Sequence, residues 1–406
     1  MLSRDDAALV DRDPQIQGMS QLLDPDRARD RLAGAARPAW GDLGSVQVDY
    51  LRYKPGTSLV AGLVAQTGVG ERRAYAVAGA ASLGEKLTKP VRLGTRQVGD
   101  FPPQLAEDLV LMAPLGADRA LKGARRVMDD PGDLVPGAEQ AVVLRYKPGR
   151  RLVVRLDCPA GPVAVARVHA HGRVPPTAAA ARSLSVAGVE VAAVHRPRRH
   201  GTISIVGFLD GEVRDDGTDP GLLAGVGRLL AQVHAAATFP GVELANHAWN
   251  ASAAVRAVTA IAPQLSGLAE RSMRHARASL PSGPLVLVHG DLSVDQVLVC
   301  PSGLALLDLD RARLDVAGAD AASWFAAEAA AGRIGADADP AEVLRPMLAS
   351  YAAAAGRPLD DGLRPLAAVA LLQRAAEPFR LRLHAEGWTD RVAALVHGAA
   401  VQAGVP

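Results

Sequence analysis

The segment Val286-Leu-Val-His-Gly-Asp-Leu-Ser-Val-Asp-Gln-Val-Leu-Val299, followed by Leu306-Leu-Asp-Leu-Asp310, constrains the chain more than any other stretch. It reads as strand, polar loop, strand, turn, strand and an acidic pair. Apolar runs flank each polar group and are expected to bury the backbone, leaving the polar residues at strand ends. His289, Asp291, Gln296, Asp308 and Asp310 are therefore predicted to project together. Phosphoryl transfer uses such a set. One carboxylate orients or deprotonates a hydroxyl, while an oxygen donor and a second carboxylate hold magnesium on nucleotide phosphates. The competing reading is that these groups only end buried strands and cap turns. A His-x-Asp alone is common; an amide five residues after the aspartate and an Asp-x-Asp beyond a hairpin make the combination far more specific.

This order and spacing resemble the aminoglycoside phosphotransferase and choline kinase family, distant relatives of the protein kinases. Asp291, in His289-Gly290-Asp291, stands where that family keeps its catalytic aspartate, with His289 beside it. Gln296 stands where most members have a metal-binding asparagine; maltokinases, a branch of the family, also have glutamine there. Asp308 matches the second metal-binding aspartate, and Asp310 an acidic residue that often follows it. Asp315 and Asp320 resemble, loosely, the segment that anchors the loop beneath the site. The resemblance implies an α+β, protein-kinase-like bilobal fold with an antiparallel β N-lobe and a mainly helical C-lobe. It also implies ATP and magnesium as cofactors and a small-molecule hydroxyl acceptor as partner.

Composition excludes several other classes. The chain has 406 residues, enough for two or three domains. Lys+Arg number 45 against 43 Asp+Glu, and the basic residues are scattered, so no nucleic-acid partner is expected. Two cysteines, Cys158 and Cys300, cannot make a disulfide scaffold and read as buried thiols. The start Met1-Leu-Ser-Arg-Asp-Asp lacks the basic and apolar regions of a signal peptide, and no uncharged run is long enough to span a bilayer. The expectation is a cytoplasmic protein with no membrane partner.

Residues 1–38 read as helical, with a cap at Asp24. Leu-Arg-Tyr-Lys-Pro-Gly then occurs twice, at 51–56 and 144–149, each time between β-branched runs. Each copy predicts a β-hairpin, in which proline presets one turn position and glycine takes the left-handed one. Each is followed by a possible third strand, Arg73–Gly79 or Pro162–His169. We expect residues 1–130 to form a cap domain, 131–210 a kinase-like N-lobe, and 211–406 the helical C-lobe with the catalytic loop. Phe208, just after a strand, resembles the hinge that meets an adenine edge. His234, near the end of a helix over 221–234, reads as structural. Beyond Asp320 the pattern predicts helices over 320–331, 340–355, 362–386 and 388–403.

The chain departs from the family in its phosphate clamp. Kinases place a lysine on the third strand and a glutamate on the next helix. Here the lysine position falls on Arg167, and the helix from Thr177 has no glutamate. Arg167, or Lys147 and Arg150 of the second hairpin turn, would then hold the phosphates. The C-lobe helices carry few carboxylates, Glu328, Glu377, Asp360 and Asp361 among them, and also Arg374, Arg380 and Arg382. That balance suits a sugar, amino sugar or related metabolite as acceptor. Two alternatives stay open: an aminoglycoside resistance phosphotransferase, and a degenerate nucleotide-binding protein without turnover.

Overall fold

The computed structural model describes the chain apart from residues 95–99, 171–176, 196–200, 238–240, 246, 360–361, 383–385 and 406. Asp360 and Asp361, expected among the acceptor-side carboxylates, thus lie outside the described residues. The chain forms two compact units. One comprises Met1–Val174, Arg196–Val206 and Pro378–Trp388; the other comprises Pro175–His195, Gly207–Glu377 and Thr389–Pro406.

The first unit holds both copies of the repeat, each at the head of an antiparallel sheet. The first sheet contains β1 (Leu43–Lys54), β2 (Ser58–Thr67), β3 (Gly70–Gly79), β4 (Gln104–Leu105) and β5 (Val110–Pro114), in the order β1-β2-β3-β5-β4. The second contains β6 (Gln140–Lys147), β7 (Arg151–Cys158) and β8 (Gly161–His169), with Ile203–Gly207 beside β8. Burial along β7 alternates, with Leu152, Val154 and Leu156 inside, as a half-buried strand requires. The two sheets share one core, in which Tyr75, Leu111 and Ala113 meet Tyr146, Leu152, Val154 and Ala166. Helices Met19–Leu23 and Pro25–Trp40 pack on the first sheet. As expected, Asp24 caps the second of these helices, accepting from the backbone N–H of Asp26 and Arg27.

The repeat has a structural basis that the hairpin pattern did not reveal. In the first copy the Tyr53 hydroxyl and the Gly56 N–H both donate to Asp13 Oδ2, each at 2.7 Å. In the second the Tyr146 hydroxyl (3.0 Å) and the Gly149 N–H (2.7 Å) both donate to Asp118 Oδ2. Gly56 and Gly149 have φ of +60° and +66°, which turns each amide toward its aspartate at little steric cost. Asp13 and Asp118 lie far from the repeat in sequence, and no local pattern marks them as its partners.

In the second unit, Val297–Cys300 and Gly303–Leu306 form a tight antiparallel hairpin in a four-stranded sheet with Glu212–Val213 and Glu190–Val191. A separate two-stranded pair joins Leu285–Val288 to Arg313–Val316. Helices include Thr177–Val186, Pro220–Ala235, Ala319–Ala330 and Leu363–Arg374. The single helix expected over 362–386 is instead two, Leu363–Arg374 and Glu377–Leu381. Pro378 has no N–H to donate and its ring clashes with the carbonyl four residues back, so the first helix ends at Arg374. No helix among the described residues is long and apolar enough to cross a membrane. Both cysteines are free, and Cys300 is buried.

Candidate active site

The catalytic-loop candidate begins where Leu285–Val288 ends. Val288 pairs with Arg313 and Val286 with Asp315, so the neighbouring strand sets the loop's departure point. The chain then turns at Gly290, whose φ is +82°. A Cβ here would lie 2.1 Å from Arg313 Nη1 and 2.3 Å from the Arg311 carbonyl oxygen, so only glycine fits. Arg313 closes the turn, donating from Nη1 to the Gly290 carbonyl (2.9 Å) and from Nε and Nη2 to Asp315 Oδ2. Asp320, fully buried in the first turn of Ala319–Ala330, accepts the His289 N–H at 2.7 Å and the Gly290 N–H at 2.8 Å. A carboxylate is also favoured at that helix end by the helix dipole.

His289 completes the brace. Its Nε2 lies 2.6 Å from the Leu307 carbonyl oxygen, and the Asp291 N–H lies 3.4 Å from its Nδ1. The geometry assigns the proton to Nε2, which donates to Leu307, while Nδ1 accepts from Asp291. Both ring nitrogens are engaged and the ring is buried. His289 therefore acts on Asp291 by fixing its backbone, which is a positioning role.

Asp291 itself is half-exposed and sits between two arginines. Arg374 Nη2 donates to Oδ1 at 2.9 Å, and Arg311 Nη1 lies 3.2 Å from Oδ2. Arg374 is mostly shielded, its side chain 13% exposed; its Nη1 faces Glu377 at 3.3 Å and 3.4 Å, and its Nη2 also reaches the Ser323 hydroxyl at 3.4 Å. Burial pulls the Arg374 pKa down, but the Glu377 and Asp291 carboxylates outweigh it and the net shift is upward. This guanidinium is a fixed positive charge beside the candidate catalytic carboxylate. Neither arginine was assigned to Asp291 from the sequence. Arg311 lies within the motif segment, where nothing in the spacing marks its contact, while Arg374 lies 83 residues away at the end of helix Leu363–Arg374.

The candidate metal donors meet through the hairpin. Val297 pairs with Leu306, and the Leu307 N–H donates to the Gln296 carbonyl at 2.9 Å, so Gln296 and Asp308 flank the same hairpin end. Asp308 adopts a left-handed conformation, φ 51° and ψ 57°. That is a strained state for a non-glycine residue, of a kind concentrated at functional sites. Asp310 follows within the turn Leu309–Arg311. Among the described residues, no group of three or more His, Cys, Asp or Glu is arranged to hold a metal. An amide and one or two carboxylates nonetheless fit magnesium, a hard cation that takes oxygen donors and completes its shell with waters and nucleotide phosphates.

The candidate nucleotide residues fall in both units. Arg167 lies buried on β8, paired in register with Val153 of β7. Lys147 ends β6, and Arg150 stands exposed in the turn that follows. That turn packs on the first sheet: a Cβ on Gly62 of β2 would lie 3.4 Å from Pro148 Cδ. Its Gly149 amide is spent on Asp118. Phe208 is half-buried and lies in the second unit, just after Ile203–Gly207, where Leu209 packs on Leu298, Cys300 and Ala305 of the hairpin that bears the candidate metal donors. The helix Thr177–Val186 bears no carboxylate. Arg382, expected on the acceptor side, is instead buried in the first unit. It donates to both carboxylate oxygens of Asp6, at 2.8 and 2.9 Å, and Trp388 Nε1 donates to the same aspartate.

The comparisons with known proteins agree with this fold. The chain resembles a choline/ethanolamine kinase family protein from Mesorhizobium loti, at TM-score 0.50 and 16% identity, over 69% of this chain and 98% of that one. It resembles the amicoumacin kinase hAmiN, solved in complex with AMP-PNP, Ca2+ and Ami, at TM-score 0.51 and 14% identity, over 70% and 96%. It also resembles the choline kinase LicA from Streptococcus pneumoniae, at TM-score 0.50 and 11% identity, over 68% and 98%. At these identities the likeness speaks for the fold, which is α+β and kinase-like. No curated protein sequence matches the chain. The profile of the phosphotransferase enzyme family matches residues 134–366, more than half of the chain and all of the loop and hairpin described above, and the chain belongs to that family.

Proposed function

We propose that the chain is an ATP- and magnesium-dependent small-molecule kinase that transfers the γ-phosphate to a hydroxyl of a sugar, amino sugar or related metabolite. The observation that carries this reading is the bracing of Asp291. Its loop is held by Asp320 on two amides, by Arg313 on the Gly290 carbonyl and by His289 on Asp291's own amide. A carboxylate held this firmly beside a hairpin bearing Gln296 and Asp308 suits a reaction in which positioning and charge neutralisation do most of the work.

In this mechanism Asp291 accepts a hydrogen bond from the acceptor hydroxyl and aims its oxygen at the γ-phosphorus. Each carboxylate oxygen has two lone pairs, so the arginine contacts leave acceptor capacity. Arg374, anchored by Glu377, fixes the carboxylate's rotamer. Gln296 and Asp308, with Asp310 as a further oxygen donor, would hold magnesium, which neutralises charge on the nucleotide phosphates. Arg167 is the proposed phosphate-facing cation in place of the usual lysine. Its planar fork is not equivalent to an ammonium, and a lower nucleotide affinity than that of a lysine-bearing relative is expected. Phe208 and its neighbours are proposed to meet the adenine edge, and a cytoplasmic setting is proposed with it.

The test is magnesium-dependent ATP consumption across a panel of sugars, amino sugars and aminoglycosides, with Asp291→Ala alongside. Turnover on one acceptor, reduced about 10³-fold or more in the variant while its circular dichroism and melting are unchanged, is the expected result. Unchanged turnover in Asp291→Ala would remove the assignment.

A further inference from the structure

We infer that the acceptor of this chain is a hydroxylated acid, one bearing a carboxylate or a phosphate monoester, and that Arg311 together with Arg374 recognises its charge. This inference rests on the kinase reading above and names the chemical class of its acceptor.

Five carboxylates around the catalytic loop are already bonded to arginines, backbone amides or a hydroxyl, and Asp308 and Asp310 are the candidate metal donors. Asp315 is 1% exposed and is taken by Arg313. Asp320 is taken by two backbone amides. Glu377 is taken by Arg374. Glu328 of helix Ala319–Ala330 is taken by Arg333 through both its oxygens. Asp295 bonds the Ser293 hydroxyl from an exposed position. A cationic acceptor needs unpaired carboxylates near the reacting hydroxyl. It would instead meet two guanidinium groups flanking Asp291, and like charges so placed cost binding energy.

The cations are differently disposed. Arg311 is 65% exposed, and Asp291 is its ion-pair partner among the described residues, at 3.2 Å. It sits on the short turn that follows Asp308, next to the place where a hydroxyl must approach Asp291 Oδ2. Its long side chain is free to turn outward and accept a new anionic partner. Arg374, whose Nη1 is held by Glu377 and whose Nη2 is held by Asp291 and Ser323, adds a fixed positive charge behind Asp291 rather than a second open donor. A planar guanidinium binds carboxylate or phosphate oxygens with directional, charge-assisted bonds. An acceptor acid bound to Arg311 would also draw that arginine off Asp291 Oδ2 and expose the oxygen to the hydroxyl. Binding and activation would then be one event.

Four small probes separate the possibilities: D-glycerate, glycerol 3-phosphate, glycerol and ethanolamine, each carrying a hydroxyl and differing in charge. Their binding to the full chain is measured by thermal shift and calorimetry with magnesium and a non-hydrolysable ATP analogue, and repeated with Arg311→Gln. The expected result is that one or both acids bind at least tenfold more tightly than glycerol and ethanolamine, and that Arg311→Gln removes the difference. Which acid prevails distinguishes carboxylate from phosphate. Arg311 lies on an exposed turn, so its replacement does not threaten folding; Arg311→Lys, which keeps the charge, should restore part of the preference. Equal or tighter binding of glycerol or ethanolamine, binding by none of the four, or an acid preference that survives Arg311→Gln would overturn the inference. The kinase reading is tested separately in the same preparation. Asp291-dependent ATP consumption with a neutral or cationic acceptor would refute the acid acceptor alone. Absence of magnesium-dependent nucleotide binding would refute the kinase reading itself.

Discussion

Asp320→Asn is the sharpest probe of how the loop is held. The substitution is nearly isosteric, so it tests hydrogen bonding without opening a cavity. In the native protein the fully buried carboxylate accepts two backbone N–H groups, His289 at 2.7 Å and Gly290 at 2.8 Å. Hydrogen bonds to a charged group contribute about 1.5–3 kcal/mol each, and a buried donor left unpaired costs about 1–3 kcal/mol. Asparagine can serve one N–H with its carbonyl oxygen, but it turns its own NH2 toward the other. One buried N–H loses its acceptor, about 1–3 kcal/mol, and the other keeps only a neutral one, about 1 kcal/mol less favourable, a local cost of about 2–4 kcal/mol. At about 1.4 kcal/mol per tenfold, this predicts a fall of about 30-fold to 10³-fold in hydrogen-exchange protection at the His289 and Gly290 amides. The same loosening moves Asp291, and a displacement of about 1 Å in a catalytic group can cost about 10² in turnover. Exchange mass spectrometry or NMR reads the first effect, and ATP consumption reads the second. Protection within threefold of the native value at both amides, with unchanged turnover, would refute the claim that Asp320 holds the loop.

Three further outcomes follow from the geometry. Gly290→Ala places a methyl 2.1 Å from Arg313 Nη1 and 2.3 Å from a backbone oxygen at φ +82°; we expect a stability loss of about 3 kcal/mol or more by denaturant unfolding and at least a 10²-fold loss of turnover. Asp118→Ala strips the acceptor from Tyr146, Gly149 and Ala120 together and should destabilise by about 3–5 kcal/mol in urea, whereas Tyr146→Phe should cost only about 1 kcal/mol; a loss under 1 kcal/mol for Asp118→Ala would show that the hairpin latch is dispensable. Burial lowers the His234 pKa from 6.5 to about 4, so the unfolded chain takes up a proton first as the pH falls. Its contribution is full above pH 6.5 and lost progressively toward pH 4, by about 3 kcal/mol in all, and His234→Phe should flatten that part of the stability profile measured by urea unfolding.

The loop and hairpin were legible in the sequence because their chemistry is local. His289, Gly290, Asp291, Gln296 and Asp308 lie within twenty residues, and strand alternation with turn residues dictates how such a stretch must fold. Gly290 is glycine because a Cβ would strike Arg313, 23 residues on and on the strand hydrogen-bonded to Leu285–Val288. The two Pro-Gly hairpins were equally readable, since proline and glycine act through their own backbone preferences. The break inside the helix expected over 362–386 leaves no mark in hydrophobic periodicity; Pro378 is the residue that imposes it, because proline cannot continue the helix before it.

What tertiary structure alone decided are the partners across long sequence distance. Asp13 and Asp118 lie 43 and 31 residues from the glycines they hold, and no periodic signal links them. Arg382 looked like an acceptor-side cation by its position near the chain's end, yet it is buried against Asp6, 376 residues away. Arg374 looked similar and reaches Asp291 across 83 residues. Composition and spacing declare which groups a chain possesses. Whether a given arginine is paired inside the protein or left beside the candidate catalytic carboxylate depends on which elements pack together, and that is set by the core.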